Sequence, residues 1–279
     1  MEKLAIIAGL GDLPVSIASA ARSRGQAVHV FRLAGFEERR LEAFEHEIVG
    51  LGQIGHLIKR LHNLDCREVV LAGIVKRPNF SDVKLDMRGA KLLPRVIKAA
   101  RKGDDALLRV IISELESEGF KIIAAETAAS DLTVGEGAIF GRKPDENELA
   151  DLMKAARIAG ELGRLDIGQG CVVCDGLVLA VEAQEGTDRM LVRVSELEED
   201  IRGTDAARRG VLVKRPKPIQ ERRIDLPTIG PETIDRAARA GLVGIGVEAG
   251  GALLLNRETI GARCEALGVF LYAFPSDWS

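Results

Sequence analysis

Aromatic residues are scarce in this chain, 4% of 279 positions, with a single Trp and a single Tyr. Its four cysteines (Cys66, Cys171, Cys174 and Cys264) lack the spacing of a secreted disulfide framework. No apolar run approaches the length of a membrane span, and the one in MEKLAIIAGLG is too short for a signal peptide. There is no excess of positive charge: the formal net charge of −3 is unlike that of a nucleic-acid binder, although local basic patches remain open. GxSxG, P-loop and HExxH motifs are all absent, so no side-chain nucleophile stands out. Histidine is confined to the first half, at His29, His46, His56 and His62, which leaves Cys171-Val-Val-Cys174 without the two further ligands a structural zinc needs. Two positions three apart on a strand also face opposite sides. These absences predict a reduced, cytoplasmic protein with buried, inert thiols, in which water is the attacking group of any hydrolysis.

What is present alternates. Strand candidates at Leu4–Ala8, Ala27–Phe31, Glu47–Leu51, Glu68–Val75 and Lys121–Ala125 are interleaved with helical stretches, among them Val15–Arg24, Ile54–Leu64, Lys91–Arg101 and Asp105–Glu118. Such alternation predicts a Rossmann-like parallel sheet covered by helices. After a less regular stretch, Pro144 and Asp145 start a long helix over about 145–165. The second half then reads as mixed α/β: a hairpin around Asp175-Gly176, a strand ending at Lys214, and a helix opened by Pro231. The fold class expected is α/β with two domains, 1–140 and 141–279.

Several segments could carry chemistry. Gly9-Leu10-Gly11-Asp12-Leu13-Pro14 joins the first strand to a helix, where free backbone N–H groups can meet a phosphate. Pro14 stands where the dinucleotide fingerprint wants a third glycine, and Phe31-Arg32-Leu33 replaces the acidic ribose ligand, which argues against NAD. Asp104 or Asp105 is expected to cap the helix after Lys102-Gly103. Glu182-Ala-Gln-Glu-Gly-Thr187-Asp188 puts acids and a threonine at a strand-to-helix junction, with Thr187 as a candidate cap. The densest stretch runs from Val213 to Pro231, with five cations, four prolines and two acids, Glu221 and Asp225, the latter set among the cations. Its prolines exclude a regular helix. A carboxylate so placed stays ionised and could hold Mg²⁺ or take a proton from water, as phosphoryl chemistry requires. VKRP occurs twice, at Val75–Pro78 and Val213–Pro216, each time closing an apolar run. The first copy ends a strand at the carboxyl edge where open α/β sheets bind ligands.

GLGDLP, KGDDALLR, DIGQGCVV, VLAVEAQEGTDRML, GVLVKRPKPIQERRIDLPTIGP and GLVGIGVEAGGALLL occur in this order over nearly the whole chain. In this the sequence resembles the LpxI-type UDP-2,3-diacylglucosamine hydrolases. The resemblance implies an Mg²⁺-dependent enzyme of lipid A synthesis, with a substrate chasm between its two domains, that splits UDP-2,3-diacylglucosamine into UMP and 2,3-diacylglucosamine 1-phosphate (lipid X). It gives Asp225, in RIDLP, the catalytic role and a metal-ligand role, with Asp188 as second metal candidate. Gly11, Asp12, Lys76, Gln169, Thr187, Asp188, Lys214, Lys217 and Gln220 are the expected substrate contacts, Gly11 and Asp12 towards the uridine end. Peripheral contact with the inner membrane and a homodimer are further expectations, with no nucleic-acid partner. Two rivals were weighed. A nucleotide-sugar oxidoreductase would need NAD at the glycine loop. A non-catalytic lipid carrier would have no need of an acid held among lysines.

Overall fold

The computed structural model describes residues 2–137, 139–218 and 226–278. Its contacts divide the chain into two units, one running to Asp131 and the other beginning at Leu132.

The first unit contains β1 (Lys3–Ala8), α1 (Asp12–Ser23), β2 (Val28–Leu33), β3 (His46–Val49), α2 (Ile54–Asn63), β4 (Cys66–Ala72), α3 (Met87–Ala100), α4 (Asp104–Ser117), β5 (Lys121–Ile122) and α5 (Ala125–Ala128). Its five strands form a sheet in the order β3-β2-β1-β4-β5, with every pairing parallel. A parallel sheet is covered on both faces, which explains the near-continuous apolar runs of β1 and β4. The strands Ala5, Ile7 and Val69 pack against Leu57 and Leu61 of α2 in one buried cluster. The chain winds away from β1 in both directions, so the loops after β1 and β4 border a switch point, where such sheets bind ligands.

Two local expectations fail here. The fifth strand stops after two residues, Lys121 and Ile122, in register with Glu68 and Val69 at the sheet edge, and a last hydrogen bond from Ile123 N–H to Val69 O at 3.0 Å ends the pairing. The alanine-rich AETA that follows turns helical. Neither Asp104 nor Asp105 caps α4: the cap position is Gly103, at φ 129°, a conformation that favours glycine. Asp105 lies inside the helix and accepts a hydrogen bond from Arg109 Nε at 2.6 Å.

The second unit contains β6 (Ile139–Phe140), α6 (Glu146–Arg164), β7 (Gly170–Cys174), β8 (Leu177–Val181), α7 (Gly186–Ser195), β9 (Val211–Lys214), β10 (Thr228–Ile229), α8 (Pro231–Arg239), β11 (Gly244–Glu248), β12 (Leu253–Leu254), α9 (Arg257–Leu267) and β13 (Phe270–Phe274). Six strands form a mixed sheet, β6-β13-β11-β9-β7-β8, parallel across β13, β11 and β9 and antiparallel elsewhere. Asp145 starts α6 through a capping box: it accepts from Glu148 N–H at 2.9 Å, and Glu148 accepts from Asp145 N–H at 2.8 Å. The small and apolar face of α6 (Leu152, Ala155, Ala156, Ala159) buries one side of the sheet together with Val173 and Val213. Asp175 and Gly176 turn the β7–β8 hairpin at φ 48° and 76°, both left-handed, as the tightest hairpins require.

Candidate functional site

At the switch point of the first unit, the loops after β1 and β4 are tied together. Leu10 N–H donates to Ile74 O at 3.0 Å and Ile74 N–H to Leu10 O at 2.8 Å. Gly9 permits this approach, since a Cβ there would stand 2.5 Å from Ile74 O. Gly11, at φ 100°, then opens α1. Its N–H donates to Glu38 Oε2 at 3.3 Å, so a carboxylate of the chain itself lies at this helix N-terminus. Arg40 holds that carboxylate through Nε at 2.9 Å and also reaches Asp12 Oδ1 at 2.6 Å. The guanidinium drives the Glu38 carboxyl down to about 2. Lys76 lies in the exposed stretch that follows Ile74.

In the second unit, the end of β9 is the centre of a charged group. The Lys214 side chain is buried, 7% exposed, and its Nζ lies 3.4 Å from Thr228 O. Arg215 is an anchor. It donates to Glu248 Oε2 at 3.1 and 2.8 Å, and to the carbonyls of Trp278 (2.7 Å), Ser276 (3.1 Å) and Ala156 (3.2 Å). Lys217 Nζ donates to Asp166 Oδ1 at 2.8 Å. Helix α6 makes room for this exit, because a Cβ at Gly163 would meet Pro218 Cδ at 3.0 Å and Lys217 Cα at 3.1 Å. Gln169 belongs to the same group: its carbonyl accepts from Arg215 N–H at 3.1 Å, and its side-chain Oε1 is buried with no hydrogen-bond partner among the described residues.

Thr187 does not cap α7. The cap position is Glu185, in helical conformation with no side-chain capping bond, and Thr187 falls in the first turn. Its hydroxyl instead bonds the Glu182 carboxylate. Asp188 points to solvent, 61% exposed, with Oδ1 3.3 Å from Arg236 Nε of α8. Gln220, Asp225 and the Glu221-Arg222-Arg223 stretch lie outside the described residues. Glu182 and Glu248 were not among the predicted site residues. The available signal for Glu182 was the two-residue period of β8, which puts it on the inward face of Ala180.

A lysine-rich, partly dehydrated strand end is an anion-binding arrangement. Comparison with known proteins gives it a context. A model of the LpxI N-terminal domain matches residues 3–132, and one of the LpxI C-terminal domain matches residues 135–272. The chain belongs to the LpxI family. A curated relative, "UDP-2,3-diacylglucosamine pyrophosphatase LpxI" of Caulobacter vibrioides, is 52% identical over 271 residues, 97% of each chain. Among solved structures, a putative NAD-dependent epimerase/dehydratase from Methylobacillus flagellatus is 16% identical over 50% of this chain and 42% of that one, with a TM-score of 0.26. A UDP-N-acetylglucosamine 4-epimerase from Bacillus cereus is 10% identical over 99% of this chain and 86% of that one, at 0.31. These structural likenesses are too loose to bear on function.

Within the LpxI framework, Gly11, Asp12 and Lys76 fall in the N-terminal domain, and the residues from Gln169 to Asp225 in the C-terminal one. Among the described residues, no three His, Cys, Asp or Glu side chains converge on a point where a metal could sit. The four thiols are buried, and burial pushes Cys171 up to about 12 and Cys174 and Cys264 to about 11, far from nucleophilic use. Among the described residues, no helix is long and apolar enough to cross a membrane.

Proposed function

We propose that this chain hydrolyses the pyrophosphate bond of UDP-2,3-diacylglucosamine, releasing UMP and lipid X in lipid A biosynthesis. The observation that carries the reading is its 52% identity, over 97% of the chain, with a relative named for that pyrophosphatase. The geometry supports it through the end of β9, where Lys214 is buried on the strand and Lys217 follows three residues on, with its ammonium 2.8 Å from Asp166 Oδ1. A pyrophosphate brings negative charge that must be neutralised as water attacks phosphorus, and pre-positioned ammonium groups do this without reorganising. Arg215, fully engaged with Glu248 and three carbonyls, fixes the backbone between the two lysines. Gln169 and Thr187 stand in the same neighbourhood as polar contacts, and Gln220 joins them in this reading.

Asp225 is the proposed catalytic acid–base group, in keeping with its place among cations in RIDLP. Mg²⁺ dependence belongs to the proposal through the family resemblance. In the first unit, Gly11 and Asp12 are the proposed contacts to the uridine end, and Lys76, like Lys214 and Lys217, is a proposed phosphate contact. The lipid substrate puts the enzyme's work at the cytoplasmic face of the inner membrane.

The test is UMP release from UDP-2,3-diacylglucosamine, with and without a chelator. The parent should be active with Mg²⁺ and lose activity in EDTA, and Asp225→Ala should lower kcat at least about 100-fold. An inactive parent, or an Asp225→Ala protein as fast as the parent, contradicts the assignment.

A further inference from the structure

Three neighbouring strands of the second unit carry two parallel rows of side chains on one face. The inner row is Ala180, Val172 and Leu212, matched by strand register and wholly buried. Two residues along each strand, on the same face, lie Glu182, Gly170 and Lys214. Gly170 pairs with Lys214 across β7 and β9, and Glu182 N–H donates to Gly170 O at 2.9 Å. An apolar row thus gives way to a row of carboxylate, glycine and ammonium.

The glycine is required by its neighbour. A Cβ at position 170 would stand 2.5 Å from Glu182 Oε2 and 3.4 Å from Met190 Cε, so the carboxylate occupies the space a side chain would take. Glu182 is 6% exposed, and Oε2 has no hydrogen-bond partner among the described residues. Burial pushes its carboxyl up, while the charges of Lys214 and Lys217 and the bond from Thr187 draw it down. A buried carboxylate oxygen without a hydrogen bond is costly to a fold. A negative charge beside an anion site also weakens anion binding by repulsion. Neither stability nor affinity explains a glutamate here; a fixed direction for the neighbouring ammonium does.

We propose that Glu182 is a positioning residue for Lys214: its carboxylate, seated over Gly170, orients the ammonium at the end of β9 towards a phosphate-class anion. The inference rests on reading Lys214 as a phosphate contact. Glu182 Oε2 has essentially no solvent-accessible surface, so this oxygen acts through its neighbour and not on the substrate itself.

The experiment compares UMP release and thermal melting for the parent, Glu182→Gln, Glu182→Asp, Lys214→Met and the Glu182→Gln/Lys214→Met double variant. Misplacing a catalytic group by about 1 Å costs on the order of 100-fold in rate. Glu182→Gln should therefore lower kcat by roughly 10- to 100-fold, with KM unchanged or lower and a melting temperature no lower than the parent's. Glu182→Asp, which keeps the charge, should recover part of kcat. The double variant should be no slower than Lys214→Met alone. Parental kcat in Glu182→Gln overturns the proposal. So does a kcat loss that tracks a fall in melting temperature, or losses that multiply in the double variant. If the parent releases no UMP, the substrate reading fails by itself, and the proposal is decided on inorganic pyrophosphate by calorimetric titration. Coupled effects of positions 182 and 214 on its affinity then support it; independent effects, or no binding to the parent, overturn it.

Discussion

Arg215 and Glu182 show two ways of handling a buried charge. Arg215 is paired with Glu248 and has carbonyl acceptors for its remaining donors, so its burial is compensated by good geometry. Glu182 is compensated only in part, by Thr187 and by the fields of Lys214 and Lys217, against a like charge from Glu185. Its folded-state pKa is raised above the unfolded value, with burial the main cause. The linkage sign follows. Below the unfolded value both states are protonated and nothing is lost, and above the folded value the ionised form weighs fully against the native state. Glu182→Gln should therefore be at least as stable as the parent at neutral pH, and any advantage should fade as pH falls through the ordinary carboxylate range. Urea denaturation at several pH values checks this; an advantage that grows towards acid would contradict it.

At the level of elements, the sequence marks the ends of structure best where a single residue type decides. Asp145 with Glu148, Asp175-Gly176 and Pro231 all lie where their backbone preferences put them. The alternation of the first half is legible because each strand of a covered parallel sheet is apolar along its length. Thr187 and Asp105 mislead because a cap depends on the φ and ψ of the position, and Glu185 and Gly103 take those positions instead. Lys214 and Lys217 are visible in KRPKP, whereas the period of β8 gives only the face of Glu182, and its neighbours Gly170 and Lys214 follow from register across three strands. The contact between α6 and the exit of β9 is likewise nonlocal. It makes Gly163→Ala informative: helix propensity gains about 1 kcal/mol, while the new methyl presses on Lys217 and Pro218. Stability should stay within about 1 kcal/mol of the parent, with UMP release slowed several-fold. Parallel melting and activity measurements check it, and a variant as fast as the parent would show that the exit tolerates displacement.

At the scale of the whole molecule, three buried clusters each draw on a single unit: one, from Ala5 to Ile122, on the first, and two, between Val134 and Phe274, on the second. Separate cores unfold as separate cooperative blocks unless something couples them. Scanning calorimetry should therefore give a calorimetric enthalpy larger than the van't Hoff value; a ratio of one would show a single cooperative block. A protein at work also meets a medium full of anions, and here the arrangement at Gly11 matters. Glu38 is covalently part of the chain, so its local concentration at the Gly11 N–H is on the order of millimolar or more and does not vary with the medium. Any dissolved anion has to outcompete a ligand that cannot diffuse away. The loop that most resembles a phosphate cradle thus already has a carboxylate at one of its N–H donors.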